Sequence, residues 1–249
     1  MSLLDAEPIA RRTMHLFFMV DTSGSMSGAK IGAVNDAIRN VLPIVRDISD
    51  NNADAEIKIA ALNFSNGCEW LYNEVKNAED FEWTDQTAGG GTDLGEACRD
   101  IEKVLHQKGG WMYSSCGSYA PVFILLSDGG PTDDFDSGVA ALWKNNWFKA
   151  GIKGAIAIGE DADTDVLAKF TGNIERVIRV HERETLKKVI RVVAVTSSQV
   201  GSASASASAG EATVTKEDMV TEAIKDELTD EKVEIGTDLD TNSANDDAW

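Results

Sequence analysis

The chain is poor in cysteine, histidine, proline and basic residues, and each shortage narrows what it can be. Its three cysteines, Cys68, Cys98 and Cys116, are odd in number and widely spaced. They offer neither a disulfide framework nor a zinc pattern, and they suit a reducing compartment. The three histidines, His15, His106 and His181, lie far apart, and each reads as a lone core or surface residue rather than half of a catalytic pair. Lys and Arg total 23 against 42 Asp and Glu, a formal net charge of −19. That excludes a general nucleic-acid or anionic-membrane surface, because phosphate would be repelled, and it favours cationic partners or metal ions. No apolar stretch approaches the roughly 18 residues of a membrane span. Arg11 and Arg12 precede only the short run 16–20, so no signal peptide is expected. The expectation is a cytoplasmic protein with neither membrane nor nucleic acid as partner. Enzyme motifs are missing too. Gly24-Ser25-Met26-Ser27-Gly28 has Met where a nucleophile elbow needs Ser, and the glycines 89–91 lead into Thr-Asp without the lysine of a phosphate-binding loop. No nucleophile–base pair is visible, and the reading is non-enzymatic with no catalytic residues.

What is present is enough apolar sequence for a core: 43% of 249 residues are hydrophobic. Charge divides the chain unevenly. Residues 196–249 hold 13 acidic and 3 basic side chains, more than half of the net charge in about a fifth of the length. An alternating Gly/Ser/Ala run at 201–210 precedes all of them and has nothing to bury. The expected organisation is an N-terminal segment 1–12, one domain over 13–198, a linker over 199–210 and a disordered acidic tail over 211–249. Met219, Val220, Ala223, Ile224 and Leu228 keep helical spacing inside that tail, which leaves open a short amphipathic helix that folds against a partner.

The body alternates strand-like and helix-like segments. Strands are expected at 15–20, 56–64, 122–126, 154–158 and 176–180, with an edge strand at 70–75. Helices are expected over the stripe Ile31, Val34, Ile38, Val41, Val45 and Ile48, bent or broken at Pro43, and then at 94–104, 135–149, 163–170 and from 184 onward. Strands separated by helices imply crossover connections. The fold class is therefore α/β, doubly wound, a mostly parallel sheet flanked by helices. The aromatic loop 109–119 enters the strand at 122 from its amino end; it reads as packing over that end of the core, or else as a recognition insert.

Ligands in such folds bind at the carboxyl ends of the strands. Three loops stand out there: Asp21-Thr22-Ser23-Gly24-Ser25, Gly89-Gly90-Gly91-Thr92-Asp93, and Ser127-Asp128-Gly129-Gly130. Each alone could be a turn or a helix cap, Asp93 with Glu96 even having capping-box spacing. The acidic group Asp133, Asp134 and Asp136 could likewise touch a second ion or simply start a helix. Together, in order and at strand exits, the three loops offer two carboxylates and several hydroxyls. Hard oxygen donors without imidazole or thiolate suit Mg²⁺ or Mn²⁺.

Asp-x-Ser-x-Ser after the first buried strand, Gly-Gly-Thr opening a helix, and a strand ending in Ser-Asp-Gly resemble the von Willebrand factor A domain and its metal-ion-dependent adhesion site. The resemblance spans about 13–195. It implies metal ligands Asp21, Ser23, Ser25, Thr92 and Asp128, with an open position on Mg²⁺ or Mn²⁺ for an Asp or Glu carboxylate from a partner protein. Phe-Phe-Met-Val-Asp-Thr-Ser-Gly-Ser-Met, Asn-Asp-Ala-Ile-Arg and Gly-Gly-Gly-Thr-Asp-Leu-Gly are further similar to the bacterial tellurite-resistance TerY group. That implies an adaptor linked to a protein kinase or a PP2C-type phosphatase in stress response. A metal-dependent phosphoester hydrolase, or a tail-based phosphorylation scaffold with a vestigial metal site, are the alternatives.

Overall fold

A computed structural model describes residues 11–113, 116–202, 215–229 and 233–236. One mixed sheet runs through the described residues in the order β3 (Gly67–Trp70), β2 (Ala55–Ser65), β1 (Arg12–Asp21), β5 (Val122–Ser127), β6 (Ile152–Ile158), β7 (Val177–Val180), β8 (Val233–Ile235), with β4 (Lys76–Asn77) also on β2. Its parallel centre is β1, β2, β5, β6 and β7. The strands form where β-rich apolar runs can be buried on both faces, and the period-two alternation sorts them. Leu16, Phe18 and Val20 of β1 point into one core with α1 (Ala29–Asp50) and α6 (Arg183–Ser202). Phe17 and Met19 point into the other with α2 (Leu94–Val104), α3 (Phe135–Leu142), α4 (Asn146–Ala150) and α5 (Thr164–Thr171). This is the three-layer, mostly parallel α/β architecture expected of the sequence.

Chain order places the site. From β1 the chain passes through α1 to β2 on one side, whereas β5 lies on the other side of β1. Strand order therefore reverses between β1 and β5, and a crevice opens at their carboxyl ends.

Several local expectations shift. Helix α1 runs unbroken through Pro43. Its buried stripe Ile31, Val34, Ile38, Val41 and Val45 is continuous on both sides of the proline, and tertiary packing outweighs the one lost hydrogen bond. The edge strand expected at 70–75 is instead two short antiparallel partners of β2: β3 (Gly67–Trp70) and β4 (Lys76–Asn77). The helix expected over 135–149 divides because Asn145 caps α4, accepting from Trp147 N at 2.9 Å. The aromatic loop packs over the amino end of the core: Trp111 lies 4.5 Å from Trp70 ring to ring and stacks on Phe17, and Ser118 bridges to Thr13 of β1.

The larger correction is at the C-terminus. Helix α6 continues to Ser202, into the segment read as a linker from 199. Within the stretch read as a disordered tail, α7 (Lys216–Leu228) and β8 (Val233–Ile235) are folded onto the domain. Thr215 and Asp218 form a capping box at the start of α7. Val220, Ile224 and Leu228 are buried in the α1/α6 core, each worth about 1.5–3 kcal/mol of apolar burial. Strand β8 adds antiparallel to β7. The acids that suggested solvation have partners: Glu217 lies 2.8 Å from Lys153 and 3.2 Å from Arg176, and Glu234 lies 3.4 Å from Arg179. Residues 203–214 and 237–249 of the expected linker and tail, and 1–10 of the N-terminal segment, lie outside the described residues. No helix among the described residues is long and apolar enough to cross a membrane.

Candidate metal centre

Asp21 is the last residue of β1 and has no exposed surface. Its Oδ1 accepts from Ser23 N at 2.8 Å and its Oδ2 from Ser127 Oγ at 2.6 Å. Burial pushes the Asp21 carboxyl above the usual carboxylate range. The hydrogen bonds from Ser127 and Ser23 oppose that shift, and the negative charge of Asp128 adds to it. After Asp21 the chain makes one turn of 3₁₀ helix (Gly24–Met26) before α1. That turn brings Ser23 Oγ and Ser25 Oγ to 3.0 Å of each other, Ser23 buried and Ser25 exposed. Asp128 stands just past β5 and is 7% exposed. Thr92, just before α2, is 4% exposed.

Backbone and side-chain hydrogen bonds lock the three loops to one another. Thr22 and Gly90 carbonyls accept from Gly89 N at 2.8 Å and Gly24 N at 3.0 Å, joining the first loop to the second. Thr132 joins the second to the third: its Oγ1 accepts from Thr92 N at 2.8 Å, and its N donates to Thr92 O at 2.8 Å. Ser127 joins the third to the first through Asp21 and also accepts from Gly129 N at 2.8 Å. Gly90 sits at φ 87 against the Asn66 side chain, and a Cβ there would lie 2.8 Å from Asn66 Nδ2, so this turn requires glycine.

The sequence-expected residues thus fall on three interlocked loops at the switch point. The structure bonds Asp21 to the Ser23 backbone and pairs the two serine hydroxyls; Thr92 is tied in through its backbone, and Asp128 through the charge it exerts on Asp21. The donor set fits a hard divalent ion. The two serine hydroxyls are hydrogen-bonded to each other at 3.0 Å, a separation that two oxygens at neighbouring corners of an octahedral ion with bonds of about 2.1 Å would also keep. Among the described residues no three His, Cys, Asp or Glu side chains gather as a metal site, so an ion here would depend on hydroxyl oxygens beside the two carboxylates.

Neighbouring acids have other work. Asp133 accepts from Gly95 N at 2.9 Å and Glu96 N at 2.8 Å, capping α2 from a different loop, and Asp134 caps α3 through Ser137 N. The helix-start reading of this acidic group therefore holds. Asp93 makes no cap bond of its own; its Oδ2 accepts from Gly67 N at 2.6 Å. The histidines are elsewhere: His15 is in the sheet beside Phe17, His106 pairs with Glu102 at 2.8 Å, and His181 lies 3.6 Å from Glu234. Sequence reasoning did not foresee Thr132, or Lys30, whose Nζ lies 3.4 Å from Asp128 Oδ2. Nothing in the local sequence marks Thr132; Lys30 carries one signal, a cation in the first turn of a helix.

The chain matches no protein-family profile and no curated protein sequence. Its backbone is similar to that of a von Willebrand factor type A protein from Catenulispora acidiphila (TM-score 0.56, 17% identity, covering 75% of this chain and 43% of that one). It is similar to proximal thread matrix protein 1 from the mussel byssus, solved with a zinc-occupied MIDAS motif (TM-score 0.60, 15% identity, 76% and 49% covered). It is also similar to the pilus adhesin SpaC from Lactobacillus rhamnosus GG (TM-score 0.58, 13% identity, 75% and 30% covered). The chain spans less than half the length of each of these proteins. Sheet order, flanking helices and these likenesses together give it the three-layer α/β fold of von Willebrand factor type A structures.

Proposed function

We propose that the chain is a non-catalytic, metal-dependent protein-interaction module. Asp21, Ser23, Ser25, Thr92 and Asp128 would hold Mg²⁺ or Mn²⁺, and a partner protein would supply a carboxylate to the ion. The observation that carries this reading is the convergence of the three loops at the β1/β5 switch point, with the Ser23 and Ser25 hydroxyls at the spacing of two ligands on one ion. A bound divalent ion supplies a Lewis-acidic, positively charged centre. The protein's part is to fix the oxygens: Ser127 and the Ser23 amide orient Asp21, and Thr132 anchors the backbone of Thr92. Two carboxylates balance a divalent charge, which leaves the ion free to take an acidic ligand. One structurally similar protein was solved with a zinc-occupied MIDAS motif and another is a pilus adhesin, and both favour binding over turnover.

The narrower proposal is an adaptor in a bacterial kinase- or phosphatase-linked stress-response system. It rests on the sequence segments similar to the TerY group.

The test is affinity capture from the native host on the full chain, with Mg²⁺ and then with chelator, beside Thr92→Ala. Thr92 is tied into the loops through its backbone, so removing its hydroxyl leaves the scaffold bonds in place. Partners lost with chelator and weakened at least about tenfold by Thr92→Ala are expected. An unchanged set of partners in both conditions contradicts the reading. A kinase or phosphatase among the metal-dependent partners supports the adaptor role, and their absence from that set removes it.

A further inference from the structure

Lys30 is the second residue of α1. The free N–H groups of a first helical turn carry partial positive charge, so a cation there is disfavoured, and here no acid stands in that turn to relieve it. The side chain does not escape into solvent. It is 17% exposed and places its ammonium 3.4 Å from Oδ2 of the buried Asp128. Among the described residues Asp128 is the acid that pairs with it. The lysine therefore gives up solvation and sits at the wrong end of a helix to face a buried carboxylate pair. Asp21 and Asp128 together carry two negative charges with little water to screen them, and Lys30 returns one.

Building on the ion-binding reading above, we propose that Lys30 is the site's resident counter-cation. It pairs with Asp128 and would compete with a divalent ion for that carboxylate. The competition sets the affinity of the site and its demand for a doubly charged ion, because a tethered ammonium already supplies what a monovalent ion would. On this view Lys30 lowers affinity for the metal, the opposite of what a residue that builds the site would do.

The test is Mn²⁺ titration of the full chain, followed by water-proton relaxation, for wild type, Lys30→Met, Lys30→Arg and Asp128→Asn, with folding checked by circular dichroism. Met keeps the length of the stem and removes the charge. Lys30→Met should bind Mn²⁺ about tenfold tighter, the scale of one unit charge removed from a partly screened site, and Lys30→Arg should stay near wild type. Asp128→Asn should weaken binding. If Lys30→Met binds as wild type does, or more weakly, the counter-cation role is wrong; weakening by Asp128→Asn would then still leave the ion-binding reading standing. If wild type takes up no Mn²⁺, or Asp128→Asn changes nothing, the ion-binding reading fails and this inference fails with it.

Discussion

His15 and Asp21 stand near opposite ends of the same strand, and each is a titratable group with no exposed surface. Asp21 is held by a serine hydroxyl and a backbone amide, and so has a use for its burial. His15 does not. Its ring lies between Phe17 at 6.1 Å and Tyr113 at 6.0 Å, and neither ring nitrogen has a partner among the described residues. Burial, with the charge of Lys58 second, lowers its pKa from 6.5 to about 4. In the window between those values the unfolded chain binds more protons than the folded one. Stability contributed by the neutral ring is therefore complete above pH 6.5 and falls as the pH drops toward 4, by about 3 kcal/mol in all. His15→Phe fills the same stack without a titrating group. Urea unfolding at pH 7 and pH 5 should show the variant gaining about 2 kcal/mol on wild type over that interval; parallel pH dependence in the two proteins contradicts this.

The same scale explains which site residues were legible. Asp21, Ser23 and Ser25 are set by spacing within five residues after a strand, which a sequence displays. Thr132 and Lys30 act across loops 40 and 98 residues apart, and only the fold brings them in.

At the scale of elements, the parallel strands and their helices were readable because each carries its own period of two or 3.6 over enough residues. The C-terminal helix shows its period in Val220, Ile224 and Leu228, but sequence leaves open whether it folds and does not show that it packs on this same domain. The surrounding acids argued for solvation, and their partners Lys153, Arg176 and Arg179 belong to β6, to the turn before β7, and to β7. Lys153 is the critical one. Its side chain is fully buried, its Nζ donates to Phe148 O at 3.0 Å and Gly151 O at 2.5 Å, and its charge is met by Glu217 of α7. Burial lowers its pKa, and the Glu217 contact works against that shift. Glu217→Ala would leave a buried ammonium without its anion. We expect a loss of about 2–3 kcal/mol in urea unfolding, at the low side of the range for a buried pair because Glu217 keeps 16% of its side-chain surface. Replacing both partners, Lys153→Met with Glu217→Met, should recover most of it. A Glu217→Ala protein as stable as wild type would mean that the pair does not hold α7 in place.

For the whole molecule, a net charge of −19 favours cations over polyanions, and the β1/β5 switch point gathers two of the buried carboxylates that carry it. The switch point between β1 and β5 sets two buried carboxylates and paired hydroxyls on loops that hydrogen-bond to one another rather than float. Toward the opposite end of the sheet the rings of His15, Phe17 and Trp111 pack on one another, with Lys58 over Tyr113 and Arg12 over Tyr119 beside them.

Binding of one divalent ion by these loops is what the proposed function requires. Its most direct test is calorimetric titration of Mg²⁺ and of Mn²⁺ into the metal-stripped full chain and its Asp21→Ala and Thr92→Ala variants, with folding confirmed by circular dichroism. One ion per chain in wild type, weakened at least about tenfold in each folded variant, is the expected result. No uptake by wild type, or uptake that both variants leave unchanged, would contradict it.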